Sequence, residues 1–133
     1  MNLKEWMLTY LKSRDAIKQE ITGIEDNGDS FIVRKQNTDT LFLIRPELNS
    51  MDEIKQKANE QTSLAVHNTK RNVDFVITNW DALSKFEKLC IYFVNSVSNE
   101  KWMLYPHTHN QITEKTALRK GLEAMYSEVT PAT

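Results

Sequence analysis

Hydrophobic positions change period along this chain, and each change predicts a change of element. Leu3, Trp6, Met7, Tyr10 and Leu11 recur at i, i+3, i+4, i+7 and i+8. That spacing makes one apolar stripe and predicts an amphipathic helix over residues 2–14. Asn2 and Glu5 give it an Asn-x-x-Glu start, a variant of the capping box. From residue 16 the period shortens. "AIKQEITGI" predicts a strand with Ile17, Gln19 and Ile21 on one face. Asn27-Gly28 is the strongest short signal for a hairpin, because the tightest two-residue turns need positive φ at their centre. "SFIVRKQ" is the returning strand, "NTD" a turn, and "TLFLIR" a third strand. Its unbroken Leu41-Phe42-Leu43-Ile44 predicts burial on both faces, hence a central strand. Pro46 ends it.

The second half alternates helix and strand. Ser50-Met-Asp-Glu53 reads as a capping box for a short helix to about Glu60, with Met51, Ile54 and Ala58 lying on the sheet. "SLAVH" is a short apolar strand. In "NVDFVITNWDALSKF", Val73, Val76, Ile77, Trp80 and Leu83 follow helical spacing. "KLCIYFVN" is a near-continuous apolar strand, "SVSNE" a turn, and "KWMLYP" a last strand stopped by Pro106. Thr113 is placed to cap a final helix with Leu118, Leu122, Met125, Tyr126 and Val129 on one side, and Pro131 lies beyond its end. The order α-β-β-β-α-β-α-β-β-α predicts an α/β domain over residues 1–133, a mixed sheet with helices on its faces. Right-handed β-α-β crossovers would make strands 3, 4 and 5 its parallel centre.

Composition narrows the function more by exclusion than by assignment. Seventeen Lys+Arg against eighteen Asp+Glu leave a net charge of −1, so no global basic field favours a nucleic acid. One cysteine, Cys90, excludes an internal disulfide and a multi-thiolate zinc site. No run approaches the ~18 apolar residues of a membrane helix, and the start lacks a signal-like stretch, so a cytoplasmic protein is the default expectation. Three glycines are too few for a glycine-rich phosphate loop.

The first six elements, α-β-β-β-α-β over residues 2–67, resemble the core of the restriction-endonuclease-like superfamily, the PD-(D/E)XK nuclease fold. The resemblance is one of element order. It implies an acidic residue near the second strand and an acid-x-Lys on the third, which together hold Mg²⁺ and activate a water. Here the third strand reads "TLFLIRPE", without that motif, and the only Glu-x-Lys is Glu53-Ile54-Lys55 on the short helix. Asp29, Asp39 and Glu47, with Lys35 as the basic partner, are the residues such a nuclease would have to use. Hairpin turns hold acidic residues for their own reasons.

Two further places attract attention. "HNTKRN", residues 67–72, leaves a strand and enters a helix. That is where open α/β sheets bind ligands and where helix amides favour anions. His67, Asn68, Thr69, Lys70, Arg71 and Asn72 supply donors, and an anion or small ligand would be the guest. His107 and His109, one residue apart after Pro106, would close that site if strands 4 and 6 ended on the same side. On an extended chain they point to opposite faces, so the polar end of a hairpin is the reading adopted and no metal is assigned to them. Cys90 lies in an apolar strand, which hides a thiol and raises its pKa. Trp102 and Tyr105 point to opposite faces of a late strand, and whichever is exposed would mark a protein partner or a homodimer. The leading expectation is a non-catalytic binding or interaction protein. The alternatives are a metal-dependent phosphodiesterase or nuclease, with Mg²⁺ only in that case, and an anion or small-ligand site at 67–72.

Overall fold

The structure is a computed structural model describing residues 1–132. Its elements run α1 (Leu3–Lys18), β1 (Ile21–Asp26), β2 (Ser30–Lys35), β3 (Asp39–Ile44), α2 (Asp52–Lys57), β4 (Thr62–His67), α3 (Lys70–Thr78), α4 (Trp80–Leu83), β5 (Leu89–Asn95), β6 (Glu100–Leu104), α5 (Pro106–Ile112) and α6 (Lys115–Glu128). The six strands form one mixed sheet in sequence order. β1, β2 and β3 make an antiparallel meander, β3, β4 and β5 are parallel, and β6 returns antiparallel. The α/β class and the parallel centre are as the periodicity implies.

The sheet has two differently built faces. On one, Leu43, Leu64, Val66, Ile91, Phe93 and Trp102 pack against α2, α3, α4 and α6, with Phe93 and Trp102 stacked at 4.1 Å. On the other, Phe31, Val33, Phe42, Ile44, Ala65, Cys90, Tyr92 and Val94 meet a single helix, α1. No described helix is long and apolar enough to cross a membrane.

Local chemistry explains where the elements depart from the periodicity. α1 runs four residues past the expected 14, through the segment read as a strand. Gln19 ends it in the left-handed region (φ 51°), its N–H bonded to the Asp15 carbonyl. The Asp15 carboxylate then accepts from the amides of Glu20 and Ile21, which starts β1 one register later. Ile17, counted as a strand position, is 93% exposed. The Asn2 cap does form, accepting from the Glu5 amide at 2.8 Å, a device that contributes about 1 kcal/mol.

The box at Ser50–Glu53 does not close. Met51 is the N-cap, Ser50 Oγ accepts from the Asp52 amide, and Glu53 turns away to make two 2.6 Å bonds with Arg45. The segment around Trp80 winds as expected, but breaks at Asn79 into two helices. After β6, Pro106 starts a helix instead of a polar hairpin end. Its fixed φ suits the first helical position, and the His109 amide reaches the Tyr105 carbonyl at 2.8 Å. Thr113 is not the cap of α6, because Glu114 takes that position in extended geometry without a side-chain bond.

Candidate functional site

The single-helix face leaves a groove. α1 is pinned at its start by Lys4 to Asp26 (2.7 Å) and by Trp6 Nε1 to Asn99 Oδ1 (2.9 Å), and at its end by Asp15 against the start of β1. Between these anchors it crosses the sheet above Ala65 and leaves bare the amino ends of β3, β4 and β5. Strand register sets what lies there. Phe31, Phe42, Ser63 and Cys90 form one row across four strands, and Tyr105 follows the end of β6 beside Cys90. Ser63 and Cys90 are small residues in a row of aromatics, so the row dips. The resulting cavity is about 380 Å³ and is lined by Arg14, Asp15, Lys18, Lys35, Gln61, Ser63, Lys88, Cys90, Tyr92 and Tyr105, among others. That lies within the roughly 300–1,000 Å³ typical of ligand pockets.

Two polar side chains open into this cavity without a partner in the protein. Ser63 is 6% exposed and Tyr92 5%, yet neither hydroxyl makes a hydrogen bond to another described residue. Their oxygens stay open to solvent in the groove, since His109 Nε2 is the one fully enclosed side-chain polar atom without a partner among the described residues. Burial pushes the Tyr92 phenol far above its ordinary value, so it stays a neutral donor. Burial also pushes the Cys90 thiol up to about 11, which makes it a poor nucleophile. The rim carries both signs: two of its acids have partners, and the third, Glu87, is largely exposed. Asp15 is bonded to backbone amides, Glu20 lies 3.6 Å from Lys35, and Glu87 lies 4.0 Å from His107.

Of the residues a nuclease would need, Lys35 alone lines this groove, and the three carboxylates lie elsewhere and apart. Asp39 pairs with Arg34 at 2.7 Å, Asp29 with Arg45 at 3.5 Å, and Glu47 with Arg71 at 2.8 Å. Three different arginines thus hold the three carboxylates, and Lys35 faces Glu20. Among the described residues no three His, Cys, Asp or Glu side chains converge as a metal set.

The loop 67–72 is closed by its own chemistry. Asn68 is fully buried, donates to the carbonyls of Tyr126 and Val129, and accepts from Trp102 Nε1 at 2.9 Å. Asn72 accepts from the Leu48 amide and donates to the carbonyls of Pro46 and His67. Thr69 caps α3, Lys70 pairs with Asp74 and Glu123, and Arg71 with Glu47 and Asn49. Residues 130–132 lie across the same end of the sheet, held by Asn95 Nδ2 and the Asn68 carbonyl. The crevice where an α/β sheet would take a ligand is filled by the chain itself.

His67 does not meet the other histidines. It registers with Val94 at the carboxyl end of β5, whereas β6 ends beside Ile91, near the opposite edge. His107 Nδ1 lies 2.9 Å from the Ser84 carbonyl, and His109 packs edge-on against Trp80 with its Nε2 buried and unpartnered. Trp102 is the buried member of the late aromatic pair, and Tyr105 the half-exposed one, at the groove mouth.

Sequence reasoning did not reach Arg14, Gln61, Ser63, Lys88 or Tyr92. The one usable signal was a serine inside the apolar run "TSLAV". No protein-family model, curated protein or solved structure matches this chain.

Proposed function

We propose that this chain is a non-catalytic binding protein whose ligand sits in the groove beside α1. The hydroxyls of Ser63 and Tyr92, on largely buried residues and opening into a cavity with no partner among the described residues, carry this reading. Both hydroxyls face solvent within the groove, so a ligand that displaces that solvent meets two hydrogen-bonding groups the described residues leave unused. Two further observations support binding without chemistry. The carboxylates a nuclease would need are each held by a separate arginine. On the groove side β3 presents Thr40, Phe42 and Ile44, where the nuclease likeness calls for an acid and a lysine. A relative of that fold with its chemistry lost and a binding face kept fits both. A small ligand is preferred over a protein partner or a second copy. The most exposed apolar side chains, Ile17, Val97 and Ile112, are scattered along the chain, on α1, in the β5–β6 turn and at the end of α5.

The test is a fragment screen read by amide chemical shifts of the full chain. Fragments that bind should perturb the amides of 61–63 and 88–92 together with 14–18, and Ser63→Leu, which fills the dip, should remove those shifts. Perturbations confined to 67–72 and 107–109 would overturn the assignment. So would metal-dependent hydrolysis of a phosphodiester that disappears on substituting Asp29, Asp39 or Glu47.

A further inference from the structure

Resting on the groove reading above, the geometry points to a small organic anion as the guest, its carboxylate or phosphate-monoester head at Arg14 and Lys88 and its flat apolar body against Phe42. The arginines of this chain make the case. Arg34, Arg45, Arg71 and Arg119 each pair with a carboxylate within 3.5 Å. Arg14 pairs with none among the described residues. It is held instead by the Tyr10 hydroxyl at 3.3 Å, with its guanidinium carbon 5.6 Å from the ring centroid. That leaves most of its five donors free on the groove rim, in the fork arrangement suited to a planar oxyanion. Tyr10 is in turn stacked on Trp6 at 5.2 Å, so the guanidinium sits on a rigid support.

The surrounding charges agree. Lys18 and Lys88 also line the groove without an ion-pair partner among the described residues, while Asp15 is bonded to backbone amides and Glu20 lies beside Lys35. The carboxyl end of α1 works against an anion through its dipole, and Lys18 in the last turn offsets that. Beneath the rim the floor is apolar at Val33 and Phe42, with the hydroxyls of Thr40, Ser63 and Tyr92 to satisfy a polar edge. A bare inorganic ion would leave this floor uncovered, and a neutral molecule would leave Arg14 without a counter-charge.

Calorimetric titration of the full chain with phenyl phosphate, benzoate, benzyl alcohol and a ten-nucleotide single strand decides the matter. Binding of phenyl phosphate or benzoate is expected, about tenfold or more tighter than benzyl alcohol and weakening with salt. Arg14→Gln, an exposed substitution that leaves the core alone, should weaken it about tenfold, and Lys88→Gln in the same direction. Equal affinity for benzyl alcohol, an Arg14→Gln affinity within about twofold of the parent, or binding of the single strand but neither small anion would each overturn the anion assignment. Those three results leave the groove standing if fragments still shift amides 61–63 and 88–92. Loss of those shifts as well removes both readings.

Discussion

The two faces of this sheet are built from the same strands, and they have been finished differently. Behind one face four helices meet aromatic and aliphatic side chains that are almost wholly buried. The other is crossed by one helix, and its central row passes from the aromatics Phe31 and Phe42 to the small residues Ser63 and Cys90. The first face mostly fills the space and pairs the polar group, with His109 Nε2 against Trp80 the exception among the described residues. Asn68, Asn72 and Trp102 Nε1 are all hydrogen-bonded there. The second leaves space, leaves two hydroxyls unpaired and leaves an arginine without a carboxylate. Stability resides mainly in the first face, and the second carries what stability does not require.

The largest effect that tests this division is in the closed core. Phe93 is fully buried and stacked on Trp102, so Phe93→Ala removes both its transfer free energy and a filled volume. A loss of about 3–5 kcal/mol in urea denaturation is expected. A loss below about 1.5 kcal/mol would mean that this face is not the main source of stability.

A smaller effect belongs to the edge of that core. Arg45 holds Glu53 by two bonds and so ties α2 to the end of β3. The Arg45 hydrogen bond lowers the Glu53 pKa below the ordinary value. A group whose pKa is depressed by folding stabilises above its unfolded value, about 4.3, and that contribution is lost as pH falls through the folded value. The pair is about one-third exposed and screened by solvent, so Glu53→Gln should cost at most about 1 kcal/mol. The difference from the parent should be full at pH 7 and shrink steadily as pH falls below about 4.3. A difference that grows towards acid would reverse the sign and refute the assignment.

How far the amino-acid pattern reached follows the same division. Core strands and the helix around Trp80 were legible because burial imposes a period, and the Asn27-Gly28 turn because Gly28 needs φ near +87°. Residues 16–20 were misread because Ile17 mimics a strand position while sitting in solvent. Residues 50–53 were misread because a tertiary partner, Arg45, outcompeted the local cap for Glu53. The helix at Pro106 was hidden because proline ends a strand and begins a helix with equal ease. The groove was least legible of all. Its residues come from α1, β2, β3, β4 and β5 among others, and only strand register and the crossing of α1 bring Ser63 beside Cys90 in the same groove as Arg14. Donor-rich loops such as 67–72 are conspicuous in sequence, yet here they fasten the chain to itself.

The smallest effect is the most discriminating, because it compares neighbours on one strand. Thr62 and Ser63 are both buried hydroxyl residues on β4, and they face opposite sides of the sheet. Thr62 Oγ1 donates to the carbonyls of Lys57 and Glu60, at 3.0 and 3.1 Å, and so locks α2 to the strand. Thr62→Val keeps the shape and deletes those bonds, at an expected cost of about 1–2 kcal/mol. Ser63→Ala deletes a hydroxyl that no described residue uses, so stability should change by less than about 0.5 kcal/mol. Its effect should appear instead as weaker binding in the groove. Should Ser63→Ala destabilise as much as Thr62→Val, the hydroxyl is structural, the two faces are equivalent at this position, and the groove loses the feature that marks it as a site.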